Sequence, residues 1–150
     1  MSTKPEFLVY DRDGRLAAAV DVRARLGTTS RWAAELRRDL VGLGPGPFRG
    51  APFLIVATLD KIYIWKDARP VDASTPPDHE LDAEAVFSPY LAGTGRRLKE
   101  MGAYGFELIV MSWLQDLVYP IPGLGRKPPV GTPDLRQAVE DGRVDFPAAA

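Results

Sequence analysis

The sequence predicts an α/β domain: a small mixed sheet built from two strand pairs, residues 6–25 and 53–66, with helices packed on it. Three observations carry this expectation. The stretch "PEFLVYDRDGRLAAAVDVRARLG" holds two apolar runs hinged at Asp13-Gly14, residue types that accept the positive φ angles of a tight hairpin turn. The next stretch, "TTSRWAAELRRDLVGLG", places Trp32, Leu36, Leu40 and Leu43 at helical spacing. Then "FLIVATLDKIYIWK" supplies a second pair of apolar runs before a helical C-terminal part of about 84–142.

In the first hairpin, a two-residue Asp13-Gly14 loop sets Arg12 across from Arg15, Tyr10 from Ala17, Leu8 from Ala19 and Glu6 from Asp21. Side chains alternate along a strand, so Asp21 and Arg23 then point the same way as Glu6. Like charges directly across a strand pair repel, and such a pair persists where a cation, a basic side chain or a proton relieves it. Arg23 and Lys4 are the basic side chains at hand. A three-residue loop with a bulge at Gly14 shifts the pairing by one and separates Glu6 from Asp21.

The helix of about 30–42 has Thr29 or Ser30 as its cap and Gly42 or Gly44 at its stop, with Arg31, Glu35, Arg37, Arg38 and Asp39 on the exposed side. "GPGPFRGAP" breaks it. Strands of 53–58 and 61–66 turn near Leu59-Asp60, and the run 53–57 is apolar on both faces, as suits an interior strand. Residues 67–83, rich in proline and acid, read as an exposed loop within one domain of 1–150 whose core is about 5–66. "AEAVFSPYL" and "RRLKEMG" read as short helical pieces, "FELIVMSWLQDLVY" as a helix, "PIPGLGRKPPVG" as a loop and "DLRQAVEDG" as a last short helix.

Composition narrows the chemistry. The 150 residues contain no cysteine and one histidine, His79, which removes thiolate nucleophiles and multi-histidine metal clusters. Any divalent metal would need oxygen ligands, as magnesium, manganese and calcium accept. No apolar run is long enough for a signal peptide core or a membrane span, so a cytoplasmic protein with no membrane partner is expected. The net charge of -1 hides an asymmetry: residues 1–50 carry +3 and residues 51–150 carry -4. An anionic partner should therefore meet the N-terminal half. "GLGPG" and "GLGRKPPVG" lack the setting of a phosphate-binding loop.

Proline-acid at Pro5-Glu6, an extended run, and then acid-x-base at Asp21-Val22-Arg23 on a strand leading into a helix resembles the core of the PD-(D/E)XK, restriction endonuclease-like superfamily. Within it the likeness is to small Uma2-like and related uncharacterised bacterial proteins, and it covers about residues 5–66. The resemblance implies Glu6 and Asp21 as ligands of magnesium or manganese, Arg23 beside the scissile phosphate, and hydrolysis of a phosphodiester. Two departures stand out. Arginine replaces the motif's lysine at position 23 and cannot release a proton. The superfamily usually has a helix and a strand ahead of the proline-acid pair, where four residues stand here. Either these ends are rebuilt from elsewhere or the domain is a reduced one.

For nucleic acid, Arg25 and Arg31 are candidate groove residues, and Thr29 and Ser30 candidate phosphate contacts from a helix N-terminus, with plain capping as their simpler role. The expected binding is weak. Trp32, Trp65 and Trp113 fall within apolar patterns and are expected in the core. The competing expectation is a non-catalytic interaction or assembly module without cofactor, in which Arg23 holds Glu6 and Asp21 in an ion cluster. The sheet edge near residues 5–10, uncovered in the predicted arrangement, invites a homodimer.

Overall fold

The computed structural model describes residues 5–42, 47–66, 75–119 and 132–146. Its elements in chain order are β1 (Phe7–Tyr10), β2 (Leu16–Arg23), α1 (Ser30–Gly42), α2 (Pro47–Gly50), β3 (Phe53–Thr58), β4 (Lys61–Lys66) and β5 (His79–Asp82), followed by α3 (Ala83–Phe87). Two 3-10 turns (Ser88–Leu91 and Leu98–Glu100) lead to α4 (Ala103–Val118), α5 (Pro133–Val139) and β6 (Arg143–Asp145). The six strands form one mixed sheet in the order β5-β4-β3-β2-β1-β6. The α/β architecture, the 30–42 helix and the strands 53–58 and 61–66 are as the sequence predicts. "PIPGLGRKPPVG", Lys4, residues 43–46 of "GLGPG" with Leu43 among them, and residues 67–74 of the acidic loop lie outside the described residues.

The centre of the sheet is the parallel pair β2 and β3, in register from Ala18↔Phe53 to Arg23↔Thr58. A parallel pair needs a crossover, and α1 makes it. Thr29 caps this helix, its Oγ1 accepting the Trp32 N–H at 3.1 Å. Ala33, Leu36, Leu40 and Val41 pack with Leu8, Ala19, Leu54, Val56, Tyr63 and Trp65 on one sheet face. On the other face Val20, Val22, Ile55, Ile62 and Ile64 meet Phe106, Ile109, Val110 and Trp113 of α4. Successive residues of β2, β3 and β4 thus serve opposite cores, which is why β3 is buried along its whole length.

Several expectations are corrected. Arg37, read as exposed, is 2% exposed. It sits at i+4 from Ala33 and i−4 from Val41, on the buried stripe, with its guanidinium 5.8 Å from the centre of the Trp65 ring. Trp65 and Trp113 are core residues, whereas Trp32 is only partly buried. The segment read as loop contains β5 at its end, and "GPGPFRGAP" contains α2. "RRLKEMG" forms only a single 3-10 turn.

The uncovered edge is also corrected. β6 pairs antiparallel with β1 through Leu8↔Asp145, Val9↔Val144 and Tyr10↔Arg143, so the edge on which the homodimer expectation rested is taken by the chain itself. Arg143 also lies over the Tyr10 ring at 4.3 Å. The approach depends on Gly142, where a Cβ would stand 1.7 Å from the Tyr10 carbonyl oxygen. Gly142→Ala should therefore destabilise the protein by about 1–3 kcal/mol through enforced backbone displacement. Urea denaturation checks this, with a lowered midpoint expected and an unchanged midpoint counting against tight docking of β6.

Candidate active site at the carboxyl end of β2

The hairpin that brings the predicted acids together is neither of the two simple forms. The Asp11 N–H donates to the Arg15 carbonyl at 2.8 Å and the Gly14 N–H to the Asp11 carbonyl at 3.0 Å, so Arg12, Asp13 and Gly14 form a three-residue loop. Gly14 has φ +81°, the left-handed position this loop demands. Asp11 Oδ1 accepts from the N–H groups of Asp13 and Arg15, each at 2.9 Å, and these bonds hold its carboxyl below the usual range. Tyr10 consequently pairs with Leu16 rather than Ala17. A bulge between Val9 and Tyr10 then cancels the shift, restoring Val9↔Ala18, Leu8↔Ala19 and Phe7↔Val20.

At the far end a further irregularity offsets Glu6. Its N–H donates to the carbonyl of Val20 at 2.8 Å, so Glu6 and Phe7 both stand against Val20. Glu6 is thus displaced by one residue from the expected place opposite Asp21, because two residues of one strand face one of the other. Its strongest charged neighbour is Glu107 of α4; Asp21 comes next. Burial raises the Glu6 carboxyl above its ordinary range, the charges of Glu107 and Asp21 raise it further, and Arg23 alone opposes them.

Asp21 and Arg23 continue the face of Ala19, on the α1 side. The Asp21 side chain is 3% exposed, and its Oδ2 accepts from Arg23 Nε at 2.7 Å. Burial nevertheless dominates and raises the Asp21 carboxyl, with the hydrogen bond and charge of Arg23 pulling it back. Arg23 is 29% exposed along its side chain. Asp21 thus holds the Arg23 guanidinium by a hydrogen bond, and Glu6 feels the same charge more weakly.

The structure places the remaining predicted residues beside this cluster in different roles. Thr29 is the α1 cap, and Ser30 is the exposed first residue of the helix. Arg31 is exposed and 3.6 Å from Glu35. Arg25 is exposed and lies over the Trp32 ring at 5.2 Å. Thr28 is tied down: its N–H donates to Asp60 at 2.9 Å, and its Oγ1 lies 3.1 Å from Thr58 Oγ1 and 2.9 Å from the Tyr63 hydroxyl.

Glu107 escaped the sequence reading. Its signal is that it is the one charged residue between Glu100 and Asp116, set in a run read only for its apolar period. Among the described residues no three Asp, Glu or His side chains close into a ready-made metal cage. The oxygen donors of Glu6 and Asp21 nonetheless suit a hard divalent ion that keeps most of its water.

The raised carboxyls predict a pH dependence. A raised folded-state pKa gives stability that is complete below the ordinary carboxylate range and is lost as pH rises through the folded value. Glu6→Gln should stabilise the protein near neutral pH, and the gain should vanish in acid; denaturant midpoints across pH 4 to 8 check this. Destabilisation by this change at neutral pH would count against a raised carboxyl. Comparison of the chain with protein-family models, curated proteins and solved structures finds no match, so the interpretation of this site rests on its own residues.

Proposed function

We propose that this protein is a PD-(D/E)XK-like nuclease domain that hydrolyses phosphodiesters with the help of magnesium or manganese. The observation that carries the reading is the buried Asp21 bonded to Arg23 at the carboxyl end of β2, with Glu6 of the proline-acid pair close enough to feel both charges. Glu6 and Asp21, whose carboxyls are raised by burial, are costly to keep, and such groups cluster at functional sites. The position also fits, since ligands of α/β sheets bind beyond the carboxyl ends of parallel strands. A second support is topological. The helix and strand that the superfamily has ahead of its proline-acid pair find counterparts here in α4 and β6, which follow the core in sequence and pack against β2 and β1.

Glu6 and the free oxygen of Asp21 would hold the metal ion, which when bound supplies polarisation of the phosphate and a more acidic water. Arg23 spends Nε on Asp21, which leaves its terminal amino groups to pair with a phosphate and stabilise the charge that develops there. Being permanently protonated, it takes no part in proton transfer.

A second reading is favoured by one specific contact. The Asp21–Arg23 bond of 2.7 Å neutralises a buried acid within its own strand, as a non-catalytic module that retains the fold requires. The two readings separate by experiment. For the nuclease, calorimetry should detect magnesium or manganese binding that Asp21→Ala abolishes, and Arg23→Lys should raise metal-dependent cleavage of plasmid or single-stranded DNA. For the module, wild type and Arg23→Lys are inert and bind no metal, while Arg23→Ala lowers stability by on the order of 1–2 kcal/mol. Cleavage that survives Asp21→Ala would place the site elsewhere.

A further inference from the structure

The outward face of α4 lacks what a solvated helix face ordinarily carries. At about 3.6 residues per turn, Tyr104, Leu108, Met111, Ser112, Gln115 and, at the C-cap, Tyr119 fall on one stripe roughly 100° wide. None of the six is charged, although the outer stripe of an amphipathic helix is normally its charged one. Tyr104 is 75% exposed, Tyr119 55% and Leu108 42%, so most of the large apolar side chains left exposed among the described residues lie here. The two charges of α4 flank the stripe and are engaged elsewhere. Glu107 neighbours Glu6, and Asp116 accepts from the Tyr90 hydroxyl at 2.6 Å.

The stripe also differs from end to end. At its amino end a groove of about 670 Å³ opens between α4 and the turns that precede it, with apolar walls from Leu91, Met101, Leu108 and Ile109. Gly105 lines it as well, and the Met101 Cε lies only 2.6 Å from where a Cβ on Gly105 would stand. A flexible thioether resting on bare backbone can yield to an incoming ring. At its carboxyl end the stripe closes on the projecting Tyr119 instead. Hole and projection lie roughly 22 Å apart at the rise of an α-helix.

The chemistry of the stripe selects its occupant. Nucleic acid and an anionic membrane both call for Lys or Arg on the contact face, and this one has neither. A second copy of the chain fits. A two-fold axis crossing α4 between Met111 and Ser112 runs a second α4 antiparallel to the first. Tyr119 of the second copy then comes level with Tyr104, Gln115 with Leu108 and Ser112 with Met111. Each projection thereby meets the other copy's groove. Glu107 and Asp116 come level on opposite margins of the seam, so that no acid faces an acid.

We infer that α4 is the surface through which two copies of this chain associate, antiparallel, with Tyr119 of each copy seated in the groove beside Tyr104 of the other. This surface is separate from the edge of β1, which β6 fills, and the inference does not depend on the nuclease reading.

Sedimentation equilibrium of the full chain across micromolar concentrations should show monomer and dimer in exchange. Leu108→Glu and Gln115→Glu each set a charge in the seam and should raise the dissociation constant by about tenfold or more, with the far-ultraviolet circular dichroism unchanged. Gln115 is exposed, so its variant keeps the fold even where Leu108→Glu does not. The chain has no cysteine, so single introduced cysteines report the geometry. Ser112→Cys, beside the two-fold axis, should oxidise to a disulfide-linked dimer, and Tyr119→Cys, whose copies stand at opposite ends of the seam, should not. A monomer at every concentration overturns the inference, as does a dimer that both charged variants leave intact. Failure of Ser112→Cys to link, or ready linking of Tyr119→Cys, overturns the antiparallel arrangement.

Discussion

The structure depends on the double burial of β2. This strand pairs with β1 on one side and β3 on the other, and both of its faces are covered by helices. A strand so placed must be apolar along its length, and Ala17 to Val20 meet that demand with small and branched side chains. The constraint relaxes only at its carboxyl end, where Asp21 is still almost fully buried and Arg23 begins to reach solvent. An acid in that position persists because a guanidinium two residues away meets it on the same face.

The site works against the stability of the scaffold that creates it. Among the described residues, Glu6 and Asp21 have raised carboxyls, whereas Asp11 and Asp134, both on the surface and hydrogen-bonded, have lowered ones. Surface acids here are satisfied by backbone N–H groups or by Lys66; the internal ones compete for a single arginine. Proteins concentrate such unfavourable charge where a ligand relieves it.

Much of the fold was legible because its signals are local. The cap at Thr29 or Ser30 and the glycine stop gave α1 its bounds, and the apolar runs on either side of Leu59-Asp60 gave β3 and β4 theirs. What escaped depends on partners distant in sequence. β5 and β6 are four and three residues long, too short for a pattern, and exist because β4 and β1 offer unpaired backbone. In the candidate site, Glu6, Asp21 and Arg23 could be named from spacing, but their mutual placement could not. Three backbone events decide it: the three-residue loop at Gly14, the compensating bulge before Tyr10, and the offset at Glu6. Each changes facing by one residue, and hydrophobicity is blind to them. Glu107 became visible only once α4 was laid across the sheet.

The pairing of β1 with β6 has a temporal side. Leu8 and Asp145 become neighbours although nearly the whole described chain separates them in sequence. Contacts of that span form late, since a long loop must close before they return any free energy. As the polypeptide leaves the ribosome, β1 and β2 are made first, and the outer edge of β1 then waits while every other described strand is synthesised. During that interval it offers unpaired N–H and C=O groups to any extended chain nearby, so the emerging protein is most vulnerable to wrong association before its last strand arrives.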